Sequence, residues 1–323
     1  MITIIIPVFN VGKYIRECLE SLFCQTYSNF ELIIVNDGST DNSLKIIKEY
    51  INEYSEKITL LNQENQGVSE ARNLANNYIR GDYLIYIDPD DYLHPDYLKK
   101  LVLTIEKEKS DVAICGYEIF YDDIKGENYQ KKYNVSVDFL DGIATAQMMM
   151  NLDLEGYLWN KLFRVSALKA KGIFFEKGRY IQDWYPVFKT LASMSKITFI
   201  NESLYFYRQR STSTVYKKSK KKVDDYYYAC RQIIKKAELL DIDSKIIAKF
   251  RVATFLAIAT DIYYINDVDI IDLYQFSFEN GYTELIDNVS ILKNREISFK
   301  QKIKLLLWRG HAFYKIPIVI KHR

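Results

Sequence analysis

The amino-acid sequence predicts an α/β fold: a doubly wound, mostly parallel sheet followed by a helical C-terminal region. Two observations carry this prediction. Apolar runs alternate with helical patterns over the first 110 residues, which is typical of βαβ units and a parallel sheet. These runs are also continuous, as expected of strands that are covered on both faces. From about residue 216 onward the pattern is helical, without further turn-rich strand signals.

The first elements can be assigned in order. ITIIIPVF is a buried strand, and Ile15, Leu19, Leu22 and Phe23 form one face of the helix that follows. FELIIVND is the second strand, and GSTDNSLKIIKEYI contains a helix with Asp41 as a candidate cap. KITLLNQ, GVSEARNLANNYI and DYLIYID continue the alternation as strand, helix and strand. Ligands of such sheets bind outside the carboxyl ends of the strands, here at 7–10, 36–39, 65–67 and 88–91.

The later elements are less regular. PDYLKKLVLTIEKEK predicts a helix and DVAICGYEIFY another strand, and residues 125–215 mix strand, loop and helix. We therefore divide the chain into 1–110, 111–215 and 216–323.

Composition excludes several classes of protein. With 48% hydrophobic and 27% charged residues the chain is globular, and its net charge of +2 implies no global polyanion partner. Its four cysteines lack CxxC spacing, which argues against a zinc site or a disulfide framework and favours a reducing cytosol. MITIIIPVFN does not resemble a signal peptide, and the apolar stretch 252–265 is too short to span a bilayer.

An acidic triplet follows the fourth strand. Asp88, Asp90 and Asp91 would repel one another by roughly 4 kcal/mol per pair at 4 Å and an effective dielectric near 20. A hard cation such as Mg²⁺ or Mn²⁺ would turn this repulsion into attraction. The alternative is a solvated turn in which Asp90 and Asp91 cap the next helix.

Two other strand ends carry polar residues that suit an anionic or polar ligand. In VNDGSTD, Gly38 permits a tight turn, and Asp37 can accept a hydrogen bond from a base. In NQGVSEARN, Gly67 makes a turn and Arg72 lies on a helical face directed toward the strand ends. Taken singly, Asp37 is also explained as a turn residue and Arg72 as a surface ion-pair residue.

Together, IIIPVFN, VNDGSTD, NQGVSEARN and GDYLIYIDPDD closely resemble family 2 glycosyltransferases in their order and spacing. The resemblance is strong over about residues 1–110 and continues more weakly to about 215. It implies a GT-A-type domain in which 1–110 bind the nucleotide sugar and 111–215 form the acceptor-binding and catalytic half.

The resemblance also implies roles for single residues. Pro7, Val8 and Asn10 lie where the family contacts the nucleoside. Asp37 matches the aspartate that reads the uracil edge, and Arg72 matches a basic residue beside the base.

The catalytic positions follow from the same resemblance. Asp88 and Asp90 match the family's DXD motif, with Asp90 expected to touch the Mn²⁺ or Mg²⁺ ion. Asp183 in IQDWYP matches the catalytic base, although a helix cap is its alternative interpretation. Gln182 departs from the acidic residue that usually precedes the base. This departure puts the base's pKa and the acceptor contacts in question.

Further candidates lie toward residue 210. Arg208 and Arg210 resemble the basic stretch near the diphosphate, where a guanidinium suits phosphate oxygens. Trp159, Asn160 and Lys161 would line the sugar or acceptor pocket. The alternatives are a solvated strand end for the arginines and a core position for Trp159.

The C-terminal segment 297–323 has no acidic residue and is rich in cations and apolar side chains. This pattern is typical of a segment lying on an anionic membrane surface. The alternative is a final helix packed on the domain, and no motif favours nucleic acid binding. Its cations are Lys300, Lys302, Lys304, Arg309, Lys315, Lys321 and Arg323.

The sequence thus predicts an inverting, metal-dependent transferase that uses a UDP-sugar. We expect it to extend a saccharide or lipid-linked saccharide at the cytoplasmic face of a bacterial membrane, in capsule or similar polymer assembly. Two alternatives stay open: a catalytically silent binding module, which Gln182 would suit, and a glycoside hydrolase, which also uses two carboxylates. Dimerisation is not decided by the sequence.

Overall fold

A computed structural model describes residues 1–170, 172–211, 219–263, 265, 277–286 and 294–309. The chain divides into two compact units, Met1–Thr145 with Gly156–Ser213 and Ala146–Glu155 with Thr214–Arg323. The second unit begins near the predicted boundary at 216 but also takes in Ala146–Glu155. The division of function between 1–110 and 111–215 stays a prediction.

The first unit is built on one mixed sheet. Its strand order is β3-β2-β1-β4-β8-β6-β9-β5, and β7 pairs with β6. The strands are β1 (Ile2–Val8), β2 (Phe30–Asp37), β3 (Ile58–Gln63), β4 (Tyr83–Tyr86), β5 (Tyr92–Leu93), β6 (Val112–Tyr121), β7 (Tyr129–Lys131), β8 (Lys161–Arg164) and β9 (Ile197–Gln209).

Strand direction confirms the predicted mostly parallel sheet. Among the described residues, β1–β4, β6 and β9 run in one direction, and the short strands β5, β7 and β8 run against them. The chain order reverses between β1 and β4, since β2 and β3 lie on one side of β1 and β4 on the other. A ligand crevice is expected at the carboxyl ends of strands where the order reverses in this way.

Apolar burial explains why the predicted elements form. Every residue of β1 and β2 is buried, as the continuous apolar runs indicated. Asn42, not the predicted Asp41, is the N-cap residue of α2, and Asp41 lies just before it and accepts a hydrogen bond at 2.9 Å from the backbone N–H of Ser43. The helices of the first unit are α1 (Ile15–Phe23), α2 (Ser43–Glu53), α3 (Val68–Asn76), α4 (Tyr97–Lys107) and α6 (Trp184–Leu191), and α5 (Gly142–Met150) runs from the first unit into the second.

The second unit is helical in its described part, as predicted. Its helices α7 (Lys220–Leu239) and α8 (Ser244–Tyr263) pack together, and α9 (Phe299–Arg309) packs on α8. The rings of Trp308 and Phe255 meet edge to face, with centroids 4.6 Å apart. The residues of the predicted membrane segment beyond 309 lie outside the described part of the chain. No helix among the described residues has the length and apolar character needed to cross a bilayer.

Candidate active site

The loops after β1 and β2 are tied together by Asn10. Its side-chain oxygen accepts from the backbone N–H of Thr40 at 2.8 Å, and its own N–H donates to Ser39 Oγ at 3.1 Å. Asn10 has φ 51°, a left-handed conformation that asparagine tolerates better than most residues. The predicted nucleoside residues Pro7 and Val8 are buried in β1, whereas Asn10 is exposed at its end. Their contact with a nucleoside stays a prediction.

Asp37, at the end of β2, holds the loop that follows β3. One carboxylate oxygen accepts from Gln63 Nε2 at 2.7 Å and the backbone N–H of Gln66 at 2.8 Å. The other accepts from the backbone N–H of Gly67 at 2.9 Å. The carboxylate is buried by these contacts. Its predicted reading of a uracil edge is untested, and the structure adds the role of shaping the loop before α3.

Arg72 on α3 joins two candidate site residues. Arg72 is 3% exposed, and its guanidinium donates to Asp88 Oδ1 at 2.8 Å and to Gln182 Oε1 at 2.9 Å. It also lies over the ring of Phe175, 5.5 Å from the centroid. The sequence predicted that Arg72 faces the strand ends, but Gln182 as its partner had no signal beyond its departure from the family pattern.

The pKa of Asp88 is raised to about 6, chiefly by burial. Asp90 and Asp183 add to the rise, and the positive charge of Arg72 opposes it. Burial likewise raises the pKa of Asp183, and the charges of Arg72 and Lys161 lower it. Charges act this strongly only at short range inside a protein. The three acidic side chains and Arg72 therefore form one electrostatic cluster.

Asp183 stands at the N-terminus of α6 but does not cap it with its side chain. The backbone there is at φ −100° and ψ −32°, and the side chain makes no capping hydrogen bond, although the backbone N–H groups of Asp183 and Trp184 lower the pKa of the carboxylate. Capping was the alternative interpretation of this residue. Its role as a catalytic base, which requires hydrogen-bond reach to an acceptor hydroxyl, stays a prediction.

Asp90 pairs with Arg210. The carboxylate accepts from Arg210 Nε at 2.9 Å and lies 2.8 Å from Nη2, and both side chains remain about one-fifth exposed. Arg210 thus lies beside the predicted metal ligand, and its contact with a diphosphate stays a prediction.

Arg208 differs from Arg210 in its burial and in its partners. It is buried, forms ion pairs with Glu17 and Asp122, and lies over the ring of Phe120 at 4.7 Å. Because these partners occupy its guanidinium, we correct the prediction that Arg208 binds the diphosphate. Arg208 instead fixes β9 against the acidic loop, which is the segment 88–91 after β4. It does so through a 2.8 Å hydrogen bond to the backbone oxygen of Asp90.

Asp91, the third acid of the triplet, is buried and serves the fold. It accepts from the hydroxyl of Tyr205 at 2.7 Å and from the backbone N–H of Arg208 at 2.8 Å. Burial raises the pKa of Asp91, and Asp90 and Asp88 raise it further. Tyr205, which sequence reasoning missed, also accepts from the backbone N–H of Asp88 at 3.4 Å. It therefore orients both ends of the acidic loop.

Trp159, Asn160 and Lys161 require a second correction. Trp159 is 3% exposed and stacks between Tyr205 and Tyr157, with centroids 4.2 and 4.6 Å away. Asn160 donates to the backbone oxygen of Cys115 at 3.0 Å, and Lys161 donates to Asn160 Oδ1 at 2.8 Å. All three side chains are buried and pack beneath the site, where Trp159 contacts Tyr205. They therefore do not line a sugar pocket.

Replacing Trp159 by alanine is expected to lower the free energy of unfolding by about 3–5 kcal/mol, the usual cost of emptying a buried aromatic position. Urea denaturation measures this change. Tyr78→Ala, at an exposed tyrosine, is the matched control and should change stability by less than about 0.5 kcal/mol. A Trp159→Ala variant of normal stability but weakened sugar binding would restore the pocket interpretation.

Comparison with known proteins agrees with this geometry. The family model described as Glycosyl transferase family 2 matches residues 3–171, just over half of the chain. The chain belongs to glycosyltransferase family 2. Glycosyltransferase GlyA of Streptococcus pneumoniae is 36% identical over 219 residues, which cover 66% of this chain and 31% of GlyA. The chain thus matches about a third of the length of that relative.

Two solved structures share the family 2 chain's fold. Staphylococcus aureus TarS 1–349 in complex with UDP-GlcNAc aligns with a TM-score of 0.70 at 19% identity, covering 99% of this chain and 90% of TarS 1–349. The mannosyltransferase PcManGT from Pyrobaculum calidifontis, in complex with GDP-Man and Mn²⁺, aligns at 0.52 with 13% identity, covering 97% and 87%. Identities this low establish the fold alone.

The oxygen donors of the site can be tested against a divalent cation. Asp88 and Asp90 present carboxylates whose side chains are 30% and 20% exposed. Within the described residues, no group of three or more His, Cys, Asp or Glu is placed to hold a metal ion. Mg²⁺ usually takes one or two carboxylates and completes its coordination with phosphates and water. The donors therefore fit an ion that is shared with a diphosphate, not one enclosed by protein alone.

Proposed function

We propose that this protein is an inverting, metal-dependent glycosyltransferase that moves a sugar from a UDP-sugar to a hydroxyl of a saccharide or lipid-linked saccharide. The observation that carries the proposal is Asp183, a helix-terminal carboxylate that makes no capping bond and is electrostatically coupled to Asp88 and Arg72. Asp183 would supply the base that transfer of a sugar from a diphosphate needs. The carboxylates of Asp88 and Asp90 would supply ligands for a cation, and the buried Arg72 would keep Asp88 oriented.

Asp183 would accept the proton of the acceptor hydroxyl as that oxygen attacks the anomeric carbon from the face opposite the diphosphate. Asp88 and Asp90 would hold the divalent cation, which when bound stabilises the negative charge of the leaving diphosphate. Arg210 would take phosphate oxygens once its carboxylate partner turns to the ion. Arg72 keeps Asp88 oriented by its 2.8 Å hydrogen bond. Holding the two sugars in line supplies much of the remaining rate.

The choice of UDP is supported by the resemblance of VNDGSTD to the uracil-reading motif and by the UDP-GlcNAc complex of TarS. PcManGT, with GDP-Man, supplies the competing nucleotide class. We place the reaction in bacterial surface polysaccharide synthesis, such as capsule assembly. A lipid-linked acceptor would bring the enzyme to the cytoplasmic face of the membrane.

The decisive experiment offers UDP-, GDP- and dTDP-sugars with Mn²⁺ to the full chain and measures release of free nucleotide with and without oligosaccharide acceptors. We expect release with a UDP-sugar only, faster with acceptor, and lost when EDTA removes the ion. A silent binding module would bind UDP-sugars in calorimetry without releasing UDP. A hydrolase would cleave a glycoside without nucleotide or metal. Either result would overturn the proposal.

The pH dependence of transfer follows from the pKa of Asp183, which is raised above the usual 3.8 by burial. A base works only when ionised, so activity should be full above this raised pKa and fall as the pH drops through it. Lys161→Met removes a positive charge that lowers this pKa, so the acidic limb of the kcat/KM profile should move to higher pH. Lys189→Met, an exposed change on α6, should leave the limb in place. An unmoved limb in Lys161→Met would contradict the assignment.

Gln182 no longer favours the silent binding module. Its side-chain oxygen receives a 2.9 Å hydrogen bond from Arg72 Nη1, so an amide suffices to orient the arginine that Asp88 also binds. The neighbouring Asp183 is retained, and the departure from the acidic pair leaves the proposed base in place.

A further inference from the structure

Helix α9 has apolar side chains on two opposite faces. Leu305 and Trp308 are buried, and Trp308 meets Phe255 of α8. Three other apolar side chains of the helix are exposed: Phe299 by 79%, Ile303 by 39% and Leu306 by 53%. The buried face explains how the helix is held. The exposed one has no such explanation within the described residues of the unit.

The three exposed side chains form one stripe, called here the α9 stripe (Phe299, Ile303 and Leu306). Their spacing of four and three residues places them above one another on a helix. At about 100° per residue, the buried pair lies on the far side of the helix axis. The α9 stripe therefore points away from the contact with α8.

Lysines flank the stripe on both sides. By the same helical geometry, Lys300 lies along one border and Lys302 along the other, whereas Lys304 lies nearer the buried Trp308. Lysine stems can lie over an apolar surface while the ammonium groups reach polar headgroups. No acidic residue occurs in 297–323, so the charge of this face is of one sign.

We propose that the α9 stripe and its lysines are a binding surface for an anionic lipid bilayer, with the helix lying in the plane of the membrane. An apolar stripe bordered by cations is the arrangement that interfacial helices use. A protein partner is a poorer fit, because a specific interface needs about 1,000 Å² and an apolar centre larger than three side chains. The inference adds a partner to the proposed transferase and does not depend on its chemistry.

Vesicle flotation tests the proposal with the full chain. The vesicles are phosphatidylcholine alone, or phosphatidylcholine with an equal part of phosphatidylglycerol. The first variant, F299S/I303S/L306S, removes the stripe, and the second, K300Q/K302Q/K304Q, removes the charge. The control, L239S/F278S, removes two other exposed apolar side chains of the same unit, 79% and 64% exposed. Residues 310–323 are present throughout, so any difference belongs to α9.

We expect wild type and control to float with the anionic vesicles and both triple variants to lose most of this binding. Each lysine near anionic lipid contributes about fivefold, so the glutamine variant should bind about a hundredfold more weakly. Wild-type binding should also weaken as salt is raised. Every substituted side chain is exposed except those of Lys302 and Lys304, which are half-buried. We therefore expect all variants to fold, with the circular dichroism spectrum and the sedimentation coefficient of the wild type.

Three outcomes would overturn the proposal. One is equal flotation of wild type and F299S/I303S/L306S. Another is equal binding to neutral and anionic vesicles. The third is sedimentation showing a dimer that the serine variant abolishes, without vesicle binding, which would assign the stripe to a second copy. Nucleotide release from a UDP-sugar is measured separately in solution. A failure of the transferase proposal can therefore be told apart from a failure of the membrane-binding proposal.

Discussion

Asp183→Asn is expected to lower kcat by about 10²–10⁴-fold, the range that a general base contributes. The amide is isosteric with the carboxylate but cannot take a proton from the acceptor hydroxyl. Asp183 makes no capping bond to α6, so the helix should start as before. Affinity for the UDP-sugar should be retained, because the substitution leaves Asp88, Asp90 and Arg210 in place.

Two measurements separate this result from simple misfolding. UDP release gives kcat, and calorimetry gives the affinity for UDP and Mn²⁺. Asp138→Asn, at an exposed aspartate, is the matched control and should be as active as wild type. An Asp183→Asn variant with wild-type kcat would show that Asp183 is not the catalytic base. Loss of both turnover and UDP affinity would instead assign Asp183 to donor binding.

Asp90→Asn is expected to lower kcat/KM for the donor by about 10²–10³-fold, the range found when one group that stabilises developing charge is removed. The substitution removes the carboxylate that Arg210 holds at 2.8 Å and that we expect to bind the ion. Binding of Mn²⁺ in the presence of UDP, followed by electron paramagnetic resonance, should weaken in parallel. Unchanged Mn²⁺ binding would exclude Asp90 as a ligand.

Arg210→Gln distinguishes the two partners of Asp90. Removing the guanidinium frees the carboxylate from its ion pair, so Mn²⁺ alone should bind more tightly than in wild type. UDP should then improve Mn²⁺ binding less than in wild type, because the arginine no longer takes the phosphate oxygens. Weaker binding of Mn²⁺ alone would show that Arg210 supports the ion site and does not compete with it.

The sequence determined the elements and the edge at which they meet. Short, continuous apolar runs rich in β-branched residues, such as ITIIIPVF, are typical of strands covered on both faces, and alternation with helices favours parallel strands. Parallel strands bring their carboxyl ends to one edge. The neighbourhood of Asn10, Asp37, Arg72 and Asp88 was therefore predictable without coordinates.

Only the tertiary structure decided which of these side chains are available to a ligand. Trp159, Lys161 and Arg208 carry the same chemistry whether buried or exposed, and their burial depends on residues far along the chain, such as Tyr205 and Glu17. The lack of a capping bond at Asp183 and the pairing of Arg72 with Gln182 arise in the same way, since hydrogen bonds join atoms that sequence spacing does not bring together. Periodicity indicates which face of an element is apolar. Contacts between distant segments decide which hydrogen-bonding atoms of each polar side chain are already occupied and which can bind a ligand.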